Sequence, residues 1–346
     1  MDNNMLIRRT MVWLLALVLA AGSAVAKSKR TLEIYFIDVE GGQSTLIVTP
    51  AGQSMLVDTG WVGFNGRDAA RVADAAKQAG VTKLDYVWIT HYHADHVGGV
   101  PALLEKIKVG TFVDHGEVRE NTEQVRNLYA AYQKAVAGAK HIVIKPGDKL
   151  PLKGVSLVAL AADGKHIDKA LPGAGQANPN CASEPAPAND ATENAHSAGF
   201  LLTYGKFRFL DLGDLTKNRE IELVCPNNLI GPVDVYLTTH HGLFQSNARA
   251  LVNAVEPRVA IMNNGARKGG SPDAWQIVHG SPRLQDLWQL HTAVASDAHN
   301  SAEQTIANPE EKCSGQFLKL SAESDGRFTV WNSRNQFSKQ YDAASK

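Results

Sequence analysis

Residues 32–39 carry a period-two alternation that predicts a strand, and Ser44–Val48 and Ser54–Val57 repeat it. Glycines 41, 42 and 52 punctuate the turns between these segments. An alanine-rich stretch over 68–78 predicts a helix ended by Gly80. Leu84–Ile89 has the pattern of a buried strand and runs directly into a histidine-rich loop. Pro101 sits where a first helical turn tolerates it, predicting a helix over 102–107. A strand (109–113), a long helix (about 122–136) and strands near 141–144 and 155–160 complete the first half. The second half predicts strands over 198–204 and 207–212, a helix over 217–224 and a strand over 233–239. A helix (247–255), a strand (259–263) and two closing strands (316–320 and 327–331) come next, the last two joined at Asp325-Gly326. Strands and helices mix in both halves in similar order. The fold class predicted is α/β: a four-layer αββα sandwich of two sheets with helices outside.

Two segments stand apart. Residues 171–195, from Leu171-Pro-Gly-Ala-Gly through Pro185-Ala-Pro-Ala-Asn, have little to bury and predict a long surface loop inserted within one domain over 30–335. Residues 1–26 place Arg8 and Arg9 before the apolar run 11–21 and end in Ala24-Val25-Ala26, the layout of a secretory signal peptide. The run falls short of the roughly 20 apolar residues that span a bilayer. The chain is therefore expected to be exported, periplasmic or secreted, with no integral membrane segment after cleavage.

Composition narrows the partners. Without residues 1–26 the chain holds 33 basic and 34 acidic side chains, a net charge of −1. That balance gives no electrostatic support to nucleic acid as a partner, which rests on clustered positive charge. The cysteines, Cys181, Cys225 and Cys313, allow one disulfide in an oxidising compartment; three pairings can be drawn, each leaving one thiol over.

The chemistry concentrates at His91-Tyr92-His93-Ala94-Asp95-His96. In extended backbone, residues two apart point the same way, so His91 and His93 can grip one ion. Ala94 lets the chain turn, Asp95 and His96 then face a second ion, and Gly98 and Gly99 let backbone pass close by. Imidazole and carboxylate donors suit zinc, with manganese or iron as alternatives. The competing explanation, a chance histidine cluster, fits poorly with four such residues in six directly after a buried strand.

His91-Tyr-His-Ala-Asp-His-Val-Gly-Gly99 resembles the HxHxDH signature of the metallo-β-lactamase superfamily. Leu56-Val-Asp58-Thr-Gly60 resembles its first motif, Leu212-Gly-Asp214 the motif of its bridging aspartate, and His240-His241-Gly242 its final histidine motif. Phe36-Ile-Asp-Val-Glu-Gly-Gly-Gln43 and the His-His-Gly run are most similar to ComEC/Rec2-type DNA-uptake proteins and related phosphodiesterases, although Glu40 interrupts the usual D-V-G-Q-G. The resemblance implies two divalent ions, zinc by preference. His91, His93 and His196 would hold one; Asp95, His96 and one of His240 and His241 would hold the other, with Asp214 between them and Asp58 orienting the set from behind. His240 is favoured as ligand, which leaves His241 to act with Asp95 and Asp214 in catalysis. His196 is the open member of the set, because Glu193-Asn-Ala-His-Ser197 resembles an N-x-x-S stretch in which the third histidine is absent. Asp58 and Asp214 also have ordinary alternatives, as a turn residue and a helix cap. His115 is placed on a loop near the site mouth.

These residues together imply a metal-dependent hydrolase in which ions about 3.5–4 Å apart share a hydroxide. Its substrate would be a small molecule or a phosphoester, with phosphodiester or phosphomonoester bonds ahead of lactones and β-lactams. A binding protein with purely structural metals is the alternative of another class; structural zinc sites are usually closed and cysteine-rich, unlike this set. Di-iron electron carriers of the fold put glutamate where His93 stands.

Overall fold

The structure, a computed structural model, describes residues 31–344. The expected signal peptide therefore lies outside the described residues.

Alternation in the strands decides the layering. In β1 (Leu32–Phe36), Ile34 and Phe36 point inward against the second sheet, while Tyr35 points out toward helices. Strands β2 (Thr45–Val48), β3 (Ser54–Val57), β4 (Lys83–Trp88), β5 (Lys108–Asp114) and β6 (Lys140–Val143) continue this sheet in order. The pairing is antiparallel from β1 to β3 and parallel from β3 to β6. The second sheet holds β7 (Lys149–Leu150), β8 (Ser156–Ala162), β9 (Lys165–His166), β10 (Gly199–Tyr204), β11 (Phe207–Asp211), β12 (Val235–Leu237), β13 (Val259–Met262), β14 (Asp286–His291) and β15 (Ile306–Asn308). It is antiparallel up to β11 and parallel beyond.

Three apolar clusters fill the spaces between four layers. The central one joins both sheets, with Phe36 and Phe209 edge to face at 5.9 Å and the Trp88 indole donating across to Ala198 O at 2.9 Å. The outer cluster on the first sheet packs Val72, Ala75 and Ala76 of α1 (Arg67–Gln78), Leu103 of α2 (Val100–Leu104) and Val125 and Tyr132 of α3 (Glu123–Ala135). The outer cluster on the second sheet packs Leu251, Val252 and Val255 of α5 (Arg249–Val255) and Val278 of α6 (Pro272–His279); α4 (Lys217–Glu222) adds half-buried Ile221. The fold is thus the four-layer αββα sandwich expected from the sequence.

The sequence pattern predicts neither α6, β14 nor β15, and it stops the domain at 335. A last strand, β18 (Ser338–Tyr341), pairs with β17 (Phe328–Asn332), which pairs with β16 (Leu318–Ala322), and β16 lies against β1. Segment 171–195 is more ordered than its composition suggests. It contains a 3₁₀ turn at Pro179–Ser183, bridges Ala177 to Asn227, and is tied down by a Cys181–Cys225 disulfide, with Cys313 left as a free thiol. Among the described residues no helix is long and apolar enough to cross a membrane.

Candidate metal centre

Parallel strands deliver their C-terminal ends to one rim of the sandwich, where loops can converge. Asp58 follows β3, His91–His96 follow β4, Asp214 follows β11, and His240 and His241 follow β12. The motif loop is locked by backbone: Thr59 N donates to His96 O at 2.7 Å, Gln43 N to Asp95 O at 3.1 Å and Val62 N to Ala94 O at 3.2 Å. Close approach requires the two glycines. A Cβ on Gly98 would sit 2.1 Å from Ala94 O, and one on Gly99 2.1 Å from Thr59 O.

Asp95, His96, Asp214 and His241, all buried, each bring a ligand atom within 4.8 Å of the others. His96 Nε2 is 3.2 Å from Asp95 Oδ2, from Asp214 Oδ2 and from His241 Nε2. Behind it, His96 Nδ1 is 2.7 Å from Asp58 Oδ2, and Asp58 also accepts from Thr90 N at 2.8 Å and Thr90 Oγ1 at 2.7 Å. Alongside, His91 Nε2 lies 3.1 Å from His93 Nδ1, and the His91 ring stacks obliquely on His96 with centroids 4.1 Å apart.

Electrostatics bind the group together. Burial pushes the Asp95 carboxyl up, but the His96 imidazole and Lys268 ammonium outweigh it and hold it well below the usual carboxylate range. Asp214 behaves likewise, burial being overcome by His241 and His96. Burial depresses His96, but Asp214, Asp95 and Asp58 win and raise it well above the ordinary imidazole value. For His91, burial and the neighbouring His96 and His93 all act downward. Two ionised carboxylates and several imidazole nitrogens thus meet in a buried cluster. Asp214 Oδ1 and His241 Nδ1 are buried there with no hydrogen-bond partner. Such a donor set, His/Asp with an oxygen to spare, fits a divalent cation of the zinc, manganese or iron kind.

Several expected placements change. His241, not His240, faces Asp95, His96 and Asp214 together; His240 Nε2 reaches Asp214 Oδ2 at 3.4 Å and Asn194 Nδ2 at 3.4 Å, at the edge of the group. Strand alternation does not govern the pair, because both residues adopt left-handed backbone (φ 56° and 55°) in a turn after β12. His196 is not brought to His91 and His93. It ends the 3₁₀ turn Glu193–His196 and points at Asp163, 3.7 Å away. The next residue, Ser197, is fully buried and faces the centre instead, its Oγ 3.5 Å from His91 Nδ1 and accepting from Asp214 N at 3.3 Å. His115 is not on a surface loop: it is buried against the Tyr92 ring and Glu193, 3.1 Å from its Oε2. Asp214 caps no helix, since Thr216 holds that position in α4.

Four contributors lie outside the expected set. Glu120 holds His93 Nε2 at 3.0 Å. Glu193, fully buried, accepts from Arg119 N and Glu120 N and so shapes that loop. Asn194 touches His240. Lys268, from the loop after β13, places its ammonium on Asp95 Oδ2 and 4.8 Å above the Trp61 ring. The N-x-x-S stretch held the clue to Asn194 and Ser197; nothing local marks Glu120 or Lys268.

Layer order, the Asp58 turn and a histidine loop at the strand ends point to one class, and the family model of the metallo-β-lactamase superfamily matches residues 37–176. Within that superfamily the sequence resembles the ComEC-like branch. It is 25% identical over 276 residues to ComE operon protein 3 of Bacillus subtilis (strain 168), covering 75% of this chain but 31% of that protein. Among solved structures, CmlA, a diiron β-hydroxylase from Streptomyces venezuelae, aligns with TM-score 0.40 and 15% identity over 71% of this chain and 46% of its own. A diphosphatase from the PhnP family aligns with TM-score 0.34 and 12% identity over 65% and 74%. That match and the His/Asp cluster both point to a metal-binding centre.

Proposed function

We propose that this protein is an exported hydrolase that cleaves phosphodiester or phosphomonoester bonds at a centre of two divalent ions, zinc by its donor set. The observation that carries the reading is the convergence of Asp95, His96, Asp214 and His241 beside the His91–His93 pair. In this reading the four converging residues hold one ion. His91 and His93 hold the other, with the unpartnered Asp214 Oδ1 available to it. Ions bound there supply Lewis acidity toward substrate oxygens and activate water as the nucleophile.

The chain's own groups do the positioning. Asp58 fixes the His96 ring, Glu120 fixes His93, and Ser197 fills the place where a third histidine would stand. His240, at the edge and beside Asn194, is left to contact substrate. Lys268 brings a positive charge to the rim, suited to a phosphoryl group. The chain's likeness to ComE operon protein 3, and the Cys181–Cys225 disulfide, which an oxidising compartment favours, support the phosphoester and export parts respectively.

Chelator-stripped protein reloaded with zinc would be assayed on bis-p-nitrophenyl phosphate, p-nitrophenyl phosphate, a chromogenic cephalosporin and an acyl-homoserine lactone. Zinc-restored turnover of a phosphate ester is expected; turnover of the cephalosporin or lactone alone would overturn the substrate class. Cell fractionation tests export: a chain starting after Ala26 outside the cytoplasm is expected, and a full-length cytoplasmic chain would refute it.

A further inference from the structure

A second cluster of metal-ligating side chains lies outside this centre. Asp38 follows β1, His291 ends β14, and Cys313 sits in the connection from β15 to β16, yet their ligand atoms fall within 4.8 Å of one another. Asp38 Oδ1 is 2.7 Å from His291 Nε2, Asp38 Oδ2 is 3.1 Å from Cys313 Sγ, and Cys313 Sγ is 3.9 Å from His291 Nε2. Glu40 Oε1 stands 3.8 Å from the same sulfur. Asp38 and His291 are buried, whereas Cys313 and Glu40 are partly open on the solvent side.

We propose that Asp38, His291 and Cys313 form a binding site for a thiophilic divalent cation such as zinc. Donor separations of roughly 3–4 Å suit tetrahedral ligands at about 2.0–2.3 Å from one ion. One sulfur, one imidazole nitrogen and one carboxylate give a mixed set of three protein ligands of the kind zinc takes. The thiolate and the carboxylate together balance the charge of a divalent ion. Arg71 borders the cluster, donating to Asp38 Oδ2 at 2.9 Å, to Glu40 Oε1 at 3.2 Å and to Cys313 Sγ at 3.6 Å, while Arg67 holds the other Glu40 oxygen at 2.7 Å. In the cation-free arrangement the imidazole and thiol hydrogens fill the space between donors. Cation binding therefore displaces protons and weakens as pH falls.

The site would pin the segment that leads into the motif loop. Glu40 is followed by Gly41, which packs on Lys268, and by Gln43, whose backbone N–H donates to Asp95 O. An ion held by Asp38, His291 and Cys313 would clamp that segment to β14 and to the 309–317 connection.

Cobalt(II) provides the test, because the His/Asp centre contains no thiol and Cys181 and Cys225 are joined to each other. Full-length protein stripped of metal and titrated with cobalt should develop a near-ultraviolet thiolate-to-cobalt charge-transfer band as well as visible d–d bands. Cys313→Ser and, separately, His291→Ala should abolish the charge-transfer band and lower total zinc by about one ion per chain, with the d–d bands of the other centre intact. A wild-type protein that shows d–d bands without charge transfer, or a Cys313→Ser variant that keeps it, would overturn the site while leaving the proposed catalytic centre standing. Absence of every cobalt band would overturn both.

Discussion

Asp58 Oδ2 and His96 Nδ1 lie 2.7 Å apart with both side chains fully buried, so one imidazole nitrogen is committed to a carboxylate and the other to the centre. That commitment fixes both tautomer and ring orientation. Asp58→Asn would offer an amide N–H where His96 needs an acceptor. The expected result is a 10- to 100-fold loss of zinc affinity, roughly the effect of removing such partners elsewhere. Competition against a chromogenic chelator measures it; unchanged affinity would show that Asp58 does not orient the site.

The geometry turns His196 away from the centre and places His241 inside it. Alanine at His196 removes a ring facing Asp163, and should leave bound metal unchanged and kcat/KM within about twofold. Alanine at His241 removes a nitrogen 3.2 Å from Asp95 and 3.4 Å from Asp214. It should lower bound metal and abolish measurable turnover. Metal analysis of the two purified variants distinguishes these outcomes directly.

Lys268 competes with a cation for Asp95 Oδ2 while standing ready to meet an anionic substrate. Lys268→Met should therefore tighten zinc binding and weaken substrate binding, raising KM for phosphate esters about tenfold, or about 1.4 kcal/mol. A KM that does not move would remove Lys268 from substrate recognition.

Glu220 supplies a pH dependence of stability. It is buried in α4 and accepts from Asn247 N at 3.0 Å and Ala248 N at 2.7 Å, but burial dominates and pushes its carboxyl from 4.5 up to about 7. A carboxyl raised on folding keeps more protons in the native state. Its stabilising contribution is therefore complete below pH 4.5 and is lost as pH rises through about 7. The loss is of order 3 kcal/mol. Urea unfolding of the wild type and of Glu220→Gln should give stability curves that differ in slope across that window and run parallel above it. Curves parallel throughout would refute the assignment.

The disulfide spans a sequence separation of 44, from the 171–195 segment to the turn that follows α4. Closing a loop of that size restricts the unfolded chain by about 4 kcal/mol in the entropic account. Replacing both cysteines by serine should lower the urea midpoint accordingly without changing metal content, since neither residue touches the centre.

Legibility followed locality. His91–His96 could be read because six consecutive residues supply the donors, β1 because its side chains alternate, and β4 because its apolar run leads straight into the histidines. The turn at His240–His241 could not, since nothing in two adjacent histidines announces left-handed backbone. Likewise the 3₁₀ turn at Glu193–His196 rotates His196 out and Ser197 in, which a one-residue shift in sequence hides. Strand β14 is buried on both faces, with Leu287, Trp288, Gln289, Leu290 and His291 all inside, so it lacks alternation; β15 is three residues long. Lys268 reaches Asp95 across a sequence separation of 173, a distance at which only tertiary structure speaks.

The register Ile34↔Leu320 sets a timetable for the molecule's birth. Strand β1 gains β2 as its next neighbour in sequence, but its other neighbour, β16, leaves the ribosome only after β2 to β15. Until then the first sheet presents an open edge where β16, β17 and β18 will later stack. Contacts so far apart in sequence form slowly, and open edges invite pairing with other chains. A chain interrupted before Leu318 should therefore be found in aggregates or with chaperones rather than as a smaller working enzyme.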